Sequence, residues 1–76
     1  MQSKYMRFCD ISKGFKRKTK TIELRNKGSN SYLGAIEWYS PWRQYVFYPN
    51  GSCVFSKGCL EDINAAIAEL MEERKG

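Results

Sequence analysis

Between Trp38 and Phe55 the chain places seven aromatic rings, Trp38, Tyr39, Trp42, Tyr45, Phe47, Tyr48 and Phe55, around two turn signals, Ser40-Pro41 and Asn50-Gly51. This spacing predicts two short hairpins. Asn-Gly accepts the positive φ that a two-residue type I′ turn demands, and Pro interrupts a strand because it has no N–H to donate. A chain of 76 residues holds one small core. One covered sheet face cannot hide that many rings, so some are expected on a surface, where clustered rings mark a contact site.

Alternation and helical spacing supply the remaining elements. Residues 20–25 alternate Ile22 and Leu24 with Thr21, Glu23 and Arg25, which predicts a strand, and 26–31 reads as a turn-rich connection. Further strands are expected at 32–39, 42–48 and 52–56. A helix is expected over 59–74, where Leu60, Ile63, Ile67, Leu70 and Met71 fall on one stripe. Ser56 or Gly58 can cap it, and Glu61 and Asp62 would complement the dipole of its first turn. The fold class is therefore α+β, a small antiparallel four-stranded sheet with one C-terminal helix packed on one face. Residues 1–19 form a basic N-terminal arm or edge segment, with Met6, Phe8, Ile11 and Phe15 as an amphipathic turn or edge strand. Residues 20–76 form a single sheet-plus-helix domain.

Register separates the two faces of the sheet. With Asn50-Gly51 and Ser40-Pro41 as two-residue loops, Phe47 pairs with Val54, Val46 with Phe55, Ile36 with Tyr45 and Gly34 with Phe47. Side chains alternate along strands, so Ile36, Trp38, Tyr45, Phe47 and Val54 share a face with Ile22 and Leu24. The helix stripe covers that face, and Gly34 lets the helix approach. The opposite face holds Glu37, Tyr39, Trp42, Gln44, Val46, Tyr48 and Phe55, a mixture of rings and hydrogen-bonding groups suited to contact. Arg43 projects beside the Ser40-Pro41 loop, either to the rim as an anion ligand or onto Trp38 as a cation–π partner.

The charge of +5 is unevenly distributed: +6 over residues 1–20, +2 over 21–58 and −3 over 59–76. The basic half, densest at Lys16, Arg17 and Lys18, suits an anionic partner, although such a run also serves solubility alone. Cys9, Cys53 and Cys59 form no pairable set and there is no His, so neither a disulfide framework nor a metal site is expected. Nor does any P-loop, GxGxxG, paired-carboxylate or activated-nucleophile pattern occur, so the chain is not expected to be an enzyme or to carry a cofactor. No apolar stretch reaches the roughly 20 residues of a membrane span, and the polar start has no signal-peptide core. A soluble cytoplasmic protein is expected.

The segments Ile22-Glu23-Leu24-Arg25, Leu33-Gly34-Ala35-Ile36-Glu37-Trp38, Trp42-Arg43-Gln44-Tyr45-Val46-Phe47 and Cys59-Leu60-Glu61-Asp62-Ile63 resemble a group of small bacteriophage and mobile-element proteins. The resemblance spans about two thirds of the chain and brings no active site with it. It implies an accessory protein of the host-cell cytoplasm, of the kind that acts on host defence by capturing a nucleotide signal or blocking a defence complex. A topological likeness to AP2-like and integrase arm-binding domains also exists, but those sheets carry several cations where this face carries rings, Gln and Glu.

Together these features predict a binding module for a phosphorylated, nucleotide-like ligand. Tyr39, Trp42, Gln44 and Tyr48 would meet the base, while Arg43, Lys16, Arg17 and Lys18 would hold phosphate. Direct DNA or RNA binding is one alternative. A protein–protein contact through the same face, with a host defence protein or as a homodimer, is the other.

Overall fold

The computed structural model describes residues 1–12 and 19–75. The chain forms a four-stranded antiparallel meander, β1 (Met6–Asp10), β2 (Ile22–Asn26), β3 (Tyr32–Tyr39) and β4 (Gln44–Pro49), in the order β1-β2-β3-β4. A 19-residue helix, α1 (Lys57–Lys75), follows and packs on one face. No helix among the described residues is long and apolar enough to cross a membrane.

Among the described residues the number of strands is the expected one, but two of them differ. The first is β1, where Met6 and Phe8 alternate with Arg7 and Cys9 and pair with β2. Residues 52–56 form no strand. Asn50 extends the β3–β4 ladder by donating its N–H to the Leu33 carbonyl (2.9 Å), and the turn over 50–53 closes through the Cys53 N–H on the Asn50 carbonyl (3.1 Å). Gly51 takes φ 43° there but Asn50 does not turn left-handed, so the turn is centred on Gly51-Ser52 and not on the expected type I′ pair Asn50-Gly51, and it leads the chain off the sheet towards α1. Val54 consequently lies 91% exposed, not in the core, and Phe55 packs edge to face on Phe47 at 5.2 Å on the covered side, not on the open face.

The connection between β3 and β4 is longer than two residues. Pro41 sits in the first turn of a short 3-10 helix (Ser40–Trp42), where its missing N–H costs nothing, and Arg43 ends it with φ 53°. The register is therefore Gly34 with Pro49, Ile36 with Phe47 and Trp38 with Tyr45, two residues from the expected pairing. An even slip keeps every side chain of both strands on its expected face. In β3, Leu24 faces Gly34 while Arg25 faces Tyr32, so Leu33 is an extra residue in a bulge. Gly34 adopts φ 151°, and a Cβ there would meet the Tyr48 carbonyl oxygen and the Phe47 ring. Its openness serves β4 and not the helix.

The core comprises Met6, Ile22, Leu24, Ile36 and Tyr45 from the sheet with Ile63, Ala66 and Leu70 from α1. Ser56 caps the helix, its hydroxyl accepting the Cys59 N–H at 3.2 Å. Because α1 begins at Lys57, Glu61 and Asp62 lie beyond its first turn. Leu60 lies 52% exposed, and the buried stripe runs instead through Cys59, Ile63, Ala66, Ile67, Leu70 and Met71. The far end of α1 is tied to the sheet by Lys20 to Glu73 (2.7 Å) and by the Arg74 guanidinium 4.4 Å above the Trp38 ring. Arg74 therefore holds the place over Trp38 that the sequence offered to Arg43.

Candidate functional site

The face of the sheet away from α1 is written by alternation: Arg7 and Cys9 on β1, Glu23 and Arg25 on β2, Ala35, Glu37 and Tyr39 on β3, Gln44, Val46 and Tyr48 on β4. At its β3–β4 end, Tyr39, Trp42, Val46, Phe47 and Tyr48 line a shallow pocket of about 290 Å³. Tyr39 reaches it as the last residue of β3. Trp42 reaches it from the 3-10 turn, and the two rings meet edge to face at 4.9 Å and 78°. This pairing fixes one Trp42 edge and leaves the residue 65% exposed. Tyr48, 42% exposed, forms another wall.

One curated protein aligns with nearly the whole chain: the "Uncharacterized 9.3 kDa protein" of Acholeplasma phage L2 is 38% identical over 73 residues, covering 96% of this chain and 92% of its own. This chain belongs to the family of that phage protein. No family profile matches the sequence. No solved structure matches it.

In this phage-family fold, the expected site residues divide into three groups. Tyr39, Trp42 and Tyr48 come together in the pocket, with Val46 between them. Gln44, exposed and in register with Tyr39, and Arg43, exposed in a left-handed conformation with its N–H on the Ser40 carbonyl (3.1 Å), stand beside it. Lys16, Arg17 and Lys18 lie outside the described residues.

The same face carries a second constellation that the sequence reading did not find. Arg7 stands directly opposite Arg25 across β1 and β2. Arg25 pairs with Glu23 at 2.6 Å and lies over the Tyr32 ring at 5.8 Å. Asn30, held at φ 62°, accepts from Arg7 through its side-chain oxygen (3.2 Å) and from Arg25 through its backbone carbonyl (2.9 Å). The signal available was the Met6-Arg7-Phe8-Cys9 alternation, which the neighbouring basic run obscured.

Two titrating groups lie where β2 enters the sheet. The Glu73 carboxylate, by hydrogen bond and by charge, raises Lys20 above its ordinary value. Hydrogen bonds from Ser12 hold Asp10 below its own, helped by the charge of Lys20. Cys9, Cys53 and Cys59 are half-buried free thiols, and among the described residues no group of three His, Cys, Asp or Glu is placed to hold a metal.

Proposed function

We propose that this phage protein is a non-enzymatic accessory module that binds a nucleotide-like ligand on the open sheet face. The observation that carries the reading is the convergence of Tyr39, Trp42, Val46 and Tyr48 on one pocket of about 290 Å³. That volume lies near the lower end of ligand sites, which suits one base better than an extended ligand. Trp42 offers a largely exposed ring for stacking, and Gln44 offers a donor and an acceptor to a base edge. Arg43, exposed in the turn next to Trp42, would hold a phosphate oxygen through its guanidinium fork. A cytoplasmic module of this kind would serve the phage in the host cell by capturing a nucleotide signal of host defence.

The test is to record the mass and ultraviolet spectrum of small molecules released from the purified protein, then to titrate the identified nucleotide by tryptophan fluorescence. Stacking on one aromatic ring contributes about 1–3 kcal/mol, so Trp42→Ala should weaken binding roughly 5- to 150-fold. Its melting should stay close to that of the parent, because Trp42 lies outside the core. If no nucleotide binds, and Trp42→Ala instead converts a dimer to a monomer in sedimentation, the face serves self-association and the ligand reading fails.

A further inference from the structure

We propose that Arg7 and Arg25, side by side on the open sheet face, form a second site that binds a single phosphoryl group. The two residues stand directly opposite each other across β1 and β2. Like charges in register are destabilising, so the sheet carries this pair against its own stability. Both guanidiniums meet at Asn30. Arg7 donates through Nη1 to its side-chain oxygen at 3.2 Å, and Arg25 donates through Nη1 to its backbone carbonyl at 2.9 Å. Among the described residues Glu23 is the one carboxylate paired with either arginine, and it takes the Nε of Arg25 at 2.6 Å. Two cations against one anion leave the cluster with a net positive charge.

The anchor of the pair is itself fixed. Asn30 sits at φ 62° with its N–H on the Asn26 carbonyl at 2.8 Å, and the Asn26 side chain accepts the N–H groups of Gly28 and Ser29 at 2.8 and 3.0 Å. Arg25 is steadied further by the Tyr32 ring, whose centroid lies 5.8 Å from its guanidinium carbon. Each guanidinium keeps N–H donors beyond these contacts, and the neutral Asn30 orients both without cancelling their charge. Two forks held together in advance suit a tetrahedral oxyanion, which takes several charge-assisted hydrogen bonds at once. Arg7 and Asn30 are exposed, so an anion reaches them from solvent. The ring pocket is a separate place on the same face. Its wall nearest in register is Tyr48, opposite Ala35, which is opposite Glu23. Arg25 thus stands two strands and two residues from Tyr48, about 12 Å between backbones at ordinary sheet spacings.

The experiment titrates the ¹⁵N-labelled protein with inorganic phosphate and, separately, with a short oligothymidylate, each against sodium chloride at matched ionic strength. Saturable shifts at the Nε–H groups of Arg7 and Arg25 and at the Asn30 amide are expected with at least one probe and not with chloride. The probe that saturates at the lower concentration identifies the source, a free phosphoryl group or a nucleic-acid backbone. Arg7→Gln should weaken that binding about tenfold or more, and should fold as the parent does because Arg7 is exposed. Glu23→Gln, which keeps an acceptor for Arg25 and discards the opposing charge, should tighten it a few-fold. Trp42→Ala should leave inorganic phosphate binding unchanged, so this site and the aromatic pocket can fail separately. Shifts no greater than those in chloride with both probes, indifference to Arg7→Gln, or failure of Glu23→Gln to tighten would overturn the proposal.

Discussion

Under α1, Trp38 and Tyr45 meet edge to face at 5.4 Å; on the other side of the same two strands, Tyr39 and Trp42 make the same kind of pair at 4.9 Å. The first pair belongs to the core, with Tyr45 only 4% exposed, and the second leaves Trp42 65% exposed. Ring chemistry does not separate them. What separates them is parity along β3 and β4, together with the polar partners each ring finds. The Tyr45 hydroxyl accepts the Lys20 N–H at 3.0 Å, its own N–H points at the Met71 sulfur at 3.5 Å, and Arg74 roofs Trp38. Burial of an amphipathic ring is tolerated where its polar end is satisfied. The outer pair stands over a sheet face lined with Arg, Glu and Gln, and leaves most of the Trp42 ring exposed.

The sharpest way to break this comparison is to remove bulk from each side. Leu24 is fully buried, so Leu24→Ala should cost about 2–5 kcal/mol in chemical denaturation. Leu60→Ala, at the half-exposed start of α1, should stay within about 0.5 kcal/mol. Equal costs would mean that α1 presents a different stripe to the sheet. Next in size is Gly34→Ala. The new Cβ would clash with the Tyr48 carbonyl oxygen and lie 2.8 Å from the Phe47 ring, at a φ of 151° that side chains rarely adopt. Overpacking of this kind costs about 1–3 kcal/mol. Because the clash falls on β4, the variant should also shift the amides of Phe47 and Tyr48. A neutral outcome would show that β4 does not approach Gly34 so closely.

The two faces were legible because strand parity survives errors of length. Reading Ser40-Pro41 as a two-residue loop misplaced the β3–β4 register by two, yet Ile36, Trp38, Tyr45 and Phe47 kept their side of the sheet. The misreading itself has a local cause, since a Pro that breaks a ladder also starts a 3-10 turn. Asn50-Gly51 does mark a turn, but one centred on Gly51-Ser52 that is no hairpin, and the link to α1 takes Phe55 onto Phe47 where a hairpin would have carried it across the open face. Contacts between distant segments were beyond local pattern. Nothing near Trp38 in sequence points to Arg74, and the Arg7–Arg25 juxtaposition needs the β1–β2 register and the left-handed Asn30. The ring pocket was therefore readable from one segment, whereas the cluster of Arg7, Arg25 and Asn30 required two strands and a turn.

A smaller effect tests the role of polar handles. Tyr45→Phe removes the acceptor of the Lys20 N–H while keeping the ring, and should cost about 0.5–1.5 kcal/mol. Tyr39→Phe, on the open face, should leave thermal stability nearly unchanged while preserving the edge-to-face pair with Trp42. If the two variants melt alike, the hydroxyl of Tyr45 contributes nothing that distinguishes the covered pair from the open one.

The smallest effect concerns Asp10, which shares the register of the covered face, opposite Ile22, but lies exposed at its margin. Its carboxylate is stabilised by Ser12, whose backbone N–H donates to it at 2.9 Å, and by the charge of Lys20. The folded state therefore binds this proton less readily than the unfolded chain, whose Asp titrates near 3.8. A group depressed in this way contributes its full stability above the unfolded value and loses it as pH falls through the folded one. Asp10→Asn keeps an acceptor for the Ser12 N–H and discards the charge. The difference in melting temperature between parent and variant should thus be small and positive near neutral pH, and should shrink as the pH is taken below about 4. Adding salt at neutral pH should shrink it too, since the Lys20 contribution is exposed and screened. A difference that stays constant with pH would mean that Asp10 acts as a neutral turn residue, with no charge contribution at the edge of the covered face.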